Sequence, residues 1–210
     1  METRQLIQNA QDGDDGAVEE LYSRYYPRVR KVVRAKLGAN LRQRLEVDDV
    51  LQEVFLQSLL RLQSFEMRSD SAFIDWLATI ALNQIRKMAE HWGRQKRSAR
   101  EEVSLDYDAD DAVSKRVRDI TSRVTGPMTR AIHQEDDRLL EEALDSLDEE
   151  HRDVLVLRHF VGLSHQAIAE RMGKPTEGAA REFYRRARAR LAMELRRRGF
   201  QQGLKAFPAS

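Results

Sequence analysis

Residues 163–191 read "LSHQAIAERMGKPTEGAAREFYRRARARL", and the break in the middle of this stretch decides the fold. Ser164 is a residue type that caps a helix by accepting a backbone hydrogen bond, and "HQAIAERM" after it sets Ile168, Ala169 and Met172 on one side of a short helix. Gly173 ends that helix. Pro175 cannot continue it, whereas Thr176 can cap a second helix that starts at Glu177 and runs to about Leu195. A tight turn between two capped helices fixes their crossing angle. This is the pattern of a helix-turn-helix, in which the first helix braces a second that enters the DNA major groove. The second helix carries Arg181, Arg185, Arg186, Arg188 and Arg190 over a packing side of Ala180, Tyr184, Ala187 and Leu191. Such cations suit a polyanion, and any that reach guanine edges add base discrimination. A lone basic helix face is more often merely solvated; here the break, the caps and the sign bias coincide. The fragment "GKPT" is no phosphate-binding loop, because Ile168 stands where the leading glycine belongs and Pro175 splits the Lys-Thr pair.

Outward from this stretch the pattern stays helical. "RLLEEALDSL" and "EEHRDVLVLRHFVG" precede it, and residues 6–90 hold "AVEELYSRYY", "RVRKVVRAKL", "VDDVLQEVFLQSLLRLQSF" and "AFIDWLATIALNQIRKMAEHW". In the third of these, Val47, Val50, Leu51, Val54, Phe55, Ser58, Leu59 and Leu62 fall at the three-and-four spacing of a core stripe. Turn chemistry separates the segments: "DGDDG" before Ala17, Pro27 where a helix can restart, Gly38-Ala39-Asn40 after Leu37, and "EMRSDS" before Ala72. Four principal helices are expected there, with a short one before Gly13. Between Arg94 and Asp136 a basic run, "RQKRSAR", meets an acidic one, "EEVSLDYDADDA". This stretch has little to bury and is expected to link two domains, with an isolated turn or two of helix in "DAVSKRVRDI".

The absence of cysteine excludes disulfide staples, thiolate nucleophiles and Cys-ligated zinc. The net charge of +1 conceals 36 Lys+Arg against 35 Asp+Glu, so the informative quantity is where the signs segregate. No apolar run approaches the ~18 residues of a membrane span, and "METRQLIQNAQDGDDG" is not a basic-then-apolar leader, so a soluble, cytoplasmic protein is expected. The histidines, His91, His133, His151, His159 and His165, have no metal-ligand spacing, and no serine sits in a Gly-x-Ser-x-Gly turn. No catalytic residue, metal or cofactor is expected.

Taken together the segments resemble bacterial RNA polymerase sigma factors of the extracytoplasmic-function (ECF) group, which keep two conserved regions called two and four. "GDDGAVEELYSRYYPRVRKVV", "DDVLQEVFLQ" and "FIDWLATIALNQI" look like region two; "LDSLDEEHRDVLVLRHFVGLSHQAIAERMG" with the arginine helix looks like region four. The resemblance implies an all-α chain of two small helical domains. A region-two-like four-helix domain spans 1–97, a long linker 98–136, and a region-four-like helix-turn-helix domain 137–198, with a tail at 199–210. It implies core RNA polymerase as partner, through the β′ clamp helices and the β flap. The second partner is promoter DNA, duplex at −35 and single-stranded at −10. An anti-sigma factor stays open as a third.

By the same resemblance Asp49, Gln52, Glu53 and Gln57 would bind the polymerase. The loop from Phe65 to Ser71 and Asn83, Arg86, Lys87, His91, Arg94, Lys96 and Arg97 would hold the melted −10 strand, which needs polar edges for a base and cations for the backbone. Thr176, Glu177, Arg181, Arg185, Arg186 and Arg188 would contact the −35 duplex. Trp76, beside Phe73, Leu77 and Ile80, reads as core, and Trp92 as the candidate exposed aromatic. The chain departs from the family at Lys87, usually acidic, at Leu82, often basic, and in "EGAAREFYRRA", where "VGTVKSRLSRA" is typical; Glu182 and Phe183 therefore leave the −35 preference open. The competing reading is a helix-turn-helix repressor or activator that does not replace the sigma subunit. It leaves the Asp-Asp-x-x-Gln helix without a role.

Overall fold

Every regular element in the computed structural model, which describes residues 2–69, 71–95, 115, 119 and 134–199, is helical. Helices α1 (Thr3–Gln11), α2 (Asp15–Arg42), α3 (Val47–Arg61) and α4 (Ala72–Gln95) form one group; α5 (Gln134–Asp145), α6 (Glu149–Val156), α7 (His165–Met172) and α8 (Glu177–Arg197) form the other. Helix α5 starts inside the stretch expected to be linker. Of the remaining linker residues, Lys115 and Asp119 are helical and exposed; the rest, and the tail from residue 200, lie outside the described residues.

Helix α2 organises the first group, packing on α1, α3 and α4. The Asp14 carboxylate starts it by accepting from the amides of Gly16 (2.8 Å) and Ala17 (3.2 Å). The restart expected at Pro27 does not occur: the helix runs straight through the proline. An internal proline costs about 3 kcal/mol. The stripe Leu21, Tyr22, Tyr25, Tyr26, Val29, Val32 and Val33 is buried on both sides of it, at roughly 1.5–3 kcal/mol for each large side chain, so packing wins. The backbone leaves helical geometry at Gly38 instead (φ 60°), where the sequence placed a turn. On α3 and the short 3-10 turn that follows it, Val50, Leu51, Val54, Phe55, Ser58 and Leu62 are buried, and Val47 and Leu59 partly so. The Tyr22 hydroxyl reaches Ser58 Oγ (2.8 Å) and the Phe55 carbonyl (3.3 Å), which satisfies a phenol the core would otherwise leave unpaired.

The caps of the second group fall where the letters put them. Ser164 Oγ accepts from the Ala167 amide and Thr176 Oγ1 from the Ala179 amide, both at 3.1 Å, and Gly173 closes α7 in the left-handed conformation. Asp148 caps α6 by accepting from the His151 amide at 3.0 Å. Helix α6 passes into a π turn, Leu157–Val161, that ends at Gly162. Gly162 has φ 85°, and a Cβ there would stand 3.3 Å from Arg28 Nη2, so glycine is needed both for the turn and for the approach of α2.

That approach is polar. Arg28 donates from Nε and Nη2 to the carbonyls of Phe160 and Val161, each at 3.1 Å, meeting acceptors left at the helix end. Arg34 pairs with Glu141, Lys36 with Asp153 and Arg42 with Asp145. From α7, Arg171 pairs with Asp75 and donates to Thr79 Oγ1 at 2.7 Å, setting the helix-turn-helix brace against α4.

Candidate nucleic-acid interface

Three surfaces carry the residues singled out from the sequence. On α3, Asp49 is exposed, Gln52 and Glu53 are half-buried, and Gln57 is only 3% exposed. Gln57 donates to Glu53 Oε1 (3.1 Å) and accepts from Arg61 (3.4 Å), so its amide holds Glu53 rather than facing outward. The open part of this face is Asp49, Gln52 and Glu53, at the i, i+3, i+4 spacing that puts them on one side.

The second surface is α4 and the loop before it. Phe65 anchors the loop by packing on Phe73 (5.3 Å between ring centroids) and Trp76 (4.8 Å), and Gln11 donates to the carbonyls of Leu62 and Phe65, both at 2.9 Å. Glu66, Arg68 and Ser69 beyond it are exposed. Trp76 is partly buried in this aromatic cluster, as its neighbours in the sequence imply. Along α4, Asn83, Arg86 and Lys87 share one exposed strip, and His91 is half-buried one turn further on. The side chains of Trp92 and Arg94, and residues Lys96 and Arg97 altogether, lie outside the described residues.

The third surface is α8. Ala180, Tyr184, Ala187 and Leu191 are buried, with Phe183, Ala192 and Leu195 beside them. Phe183 is therefore core and not a base-reading side chain. Its ring lies 4.6 Å from that of His151 and under Lys174 Nζ at 4.1 Å. The spacing to Ala180 and Ala187, three before and four after, was the signal for this. Thr176, Glu177, Arg181, Arg185 and Arg186 are exposed, and Arg188 is half-buried. Two of these arginines are held by their own helix: Arg181 Nη2 pairs with Glu177 at 2.6 Å, and Arg185 binds both oxygens of Glu182 at 2.8 Å. Side-chain hydrogen bonding and charge together raise Arg185, and the bond from Arg185, against a smaller opposing effect of burial, lowers Glu182, so both stay ionised.

Beneath α8 two histidines are held neutral. Burial, with Arg158 and Arg188 nearby, lowers His159 to about 4, and its Nε2 meets the Tyr184 hydroxyl at 2.5 Å. Burial and Arg158 also lower His165. At the N-terminus of α6, burial works against ionising Asp148, but its bonds from His151 and the charge of Arg190 outweigh it and leave the carboxyl below its ordinary range. Among the described residues no three His, Asp or Glu side chains cluster as a metal site, and no helix is long and apolar enough to cross a membrane.

The family model described as "ECF sigma factor" matches residues 1–197. Among curated proteins, the ECF RNA polymerase sigma-E factor of Haemophilus influenzae is 30% identical over 183 residues, covering 87% of this chain and 89% of that protein. The sigma-E factors of Escherichia coli (strain K12) and Salmonella typhimurium (strain LT2) are each 31% identical over 183 residues, covering 87% of this chain and 88% of theirs. An acidic and amide face on α3, an exposed Asn83, Arg86 and Lys87 strip on α4 and a capped helix-turn-helix thus coincide with a match over nearly the whole length: the chain belongs to the ECF sigma factor family.

Proposed function

We propose that this sigma factor divides its work by surface. Asp49, Gln52 and Glu53 on α3 dock core RNA polymerase at the β′ clamp helices, the loop before α4 and Asn83, Arg86 and Lys87 hold the opened −10 strand, and α8 reads the −35 duplex while its domain meets the β flap. As an ECF sigma factor the chain is a non-enzymatic subunit that directs promoter-specific transcription initiation with core polymerase. It works with the polymerase in the cytoplasm, and an anti-sigma factor is a partner the family accommodates.

The observation that carries this division is the pair α3 and α4. An open acidic and amide face suits a cationic helical partner, and it lies on the helix packed beside the one with an exposed Asn83, Arg86, Lys87 strip. A repressor needs only α7 and α8. The division into domains at 1–97 and 137–198 is part of this reading, with the second helical group beginning at Gln134.

Run-off transcription on a promoter library, with core polymerase alone and with core polymerase plus this protein, tests the reading. Start sites that require the protein are expected, and the combined change Asp49→Ala with Gln52→Ala should abolish both initiation and co-purification with core polymerase while leaving helicity intact. Unchanged co-purification would remove α3 from the polymerase interface.

A further inference from the structure

Glu182 lies on the side of α8 that faces away from the core. A helix turns about 100° per residue. The buried residues Ala180, Tyr184, Ala187 and Leu191 mark one side, and Glu182 falls almost opposite their centre. Gly178, one turn earlier, and Ala189, two turns later, share this outermost line, and both are exposed. A Cβ on Gly178 would meet only Thr176 Oγ1, at 3.8 Å. A recognition helix presses its outermost line toward the floor of the major groove. With a glycine and an alanine on either side, this line presents Glu182 together with the neighbouring Arg185 that it holds.

A carboxylate has no donor and is repelled by phosphates, so at the backbone it only weakens DNA binding. What it can accept from in the groove is an exocyclic amino group, and the N4 amine of cytosine is the donor that carboxylates pair with. Resting on the reading of α8 as the −35 helix, we propose that Glu182 is a specificity-determining residue that accepts from the N4 amine of one cytosine in the −35 duplex. By gripping Nε and Nη2 of Arg185 it also presents that guanidinium flat, with the remaining N–H groups directed at a neighbouring guanine. Arg186 Nε lies 4.0 Å from the same carboxylate, so the group is framed by cations that offset its repulsion from the DNA.

Holoenzyme assembled from core polymerase and the full-length chain, as wild type, Glu182→Gln and Glu182→Ala, is used to transcribe a promoter library randomised across the −35 element, and the productive templates are sequenced. The wild type should enrich cytosine at one position by roughly 5- to 150-fold, the range for one well-formed base contact. Glu182→Gln should move that position to adenine, whose N6 and N7 a side-chain amide engages. Glu182→Ala should flatten the position and raise output from mismatched promoters. A −35 preference identical in all three proteins would overturn the proposal and leave Glu182 as a helix ion pair. A wild type that initiates but selects no −35 sequence would overturn both the proposal and the −35 reading beneath it, and the wild-type profile alone tells that result from the former.

Discussion

Arg34, Lys36 and Arg42 on α2 pair with Glu141, Asp153 and Asp145 across the two helical groups, while Arg181 and Arg185 on α8 pair with Glu177 and Glu182 of their own helix. The side chains of the first set are 11–26% exposed and those of the second 49–69%. Burial makes the first set stiff. It pushes Asp153 above its ordinary carboxylate range against the pull of Lys36, and it lowers Arg42 against the pull of Glu141, so each charge is poorly served by anything but its partner. The pairs on α8 lie in water, which screens them, and they exchange readily with other ligands. The same chemistry therefore positions α5 and α6 in one place and leaves exposed, loosely held arginines in another. Arg171 of α7, bonded to Asp75 and Thr79 of α4, sets these two helices side by side.

The largest effect is expected at the stiff pairs. Asp153→Ala leaves Lys36 without its carboxylate and should cost about 2–3 kcal/mol in urea unfolding, below the ~3–5 kcal/mol of a fully buried pair because both ends keep some contact with water. The double change Lys36→Met with Asp153→Leu should return to within about 1 kcal/mol of wild type. If the double variant is no better than the single, the two groups do not act as a pair. On α8 the order reverses, with little change in stability and a large one in binding. Arg181→Ala should weaken binding to the preferred −35 duplex by about 1–3 kcal/mol and relax preference at one position. Equal weakening on every duplex would make Arg181 a phosphate contact.

The same contrast explains what the letters revealed. Ser164, Gly173 and Thr176 act on backbone within four residues of themselves, so their caps could be read directly, as could the α3 stripe from its periodicity. Pro27 could not be judged locally, because whether α2 breaks there depends on what α3 and α4 bury against it. The pairs joining α2 to α5 and α6 link residues more than a hundred positions apart, and in a chain with 36 cations and 35 anions nothing local selects Asp153 for Lys36. The candidate surfaces were half legible. The exposed arginines of α8 follow from helical spacing, whereas Gln57 is turned inward by contacts with Glu53 and Arg61 that spacing alone does not reveal.

A smaller effect comes from pH. His159 is neutral in the fold, at about 4 against an ordinary 6.5, so the unfolded chain binds a proton that the folded chain refuses. The stability this group contributes is complete above pH 6.5 and is lost as pH falls toward 4. Between pH 7 and 5 the unfolding midpoint should drop by the equivalent of about 1 kcal/mol, discounting for a ring still in contact with water. His159→Gln, which can keep the bond to Tyr184, should reduce the drop. It should not abolish it, because His165 is lowered in the same direction. Asp148 is depressed below its ordinary value, and its contribution fails at lower pH than this window.

The smallest effect tests the exposed set at its edge. Arg186 is exposed, and its guanidinium leans back toward Phe183, 5.7 Å from the ring centroid. On the −35 reading of α8, a guanidinium drawn back in this way should meet phosphates, so its charge should matter and its identity should not. Arg186→Ala should flatten the dependence of log affinity on log salt by about 1 and weaken every sequence alike, which is roughly a fourfold change in sensitivity between 50 and 200 mM salt. Arg186→Lys should restore the slope, since a point charge serves a phosphate as well as a fork does. A loss confined to one −35 sequence, unrepaired by lysine, would instead place Arg186 on a base edge and extend the reading face of α8 beyond Arg181, Glu182 and Arg185.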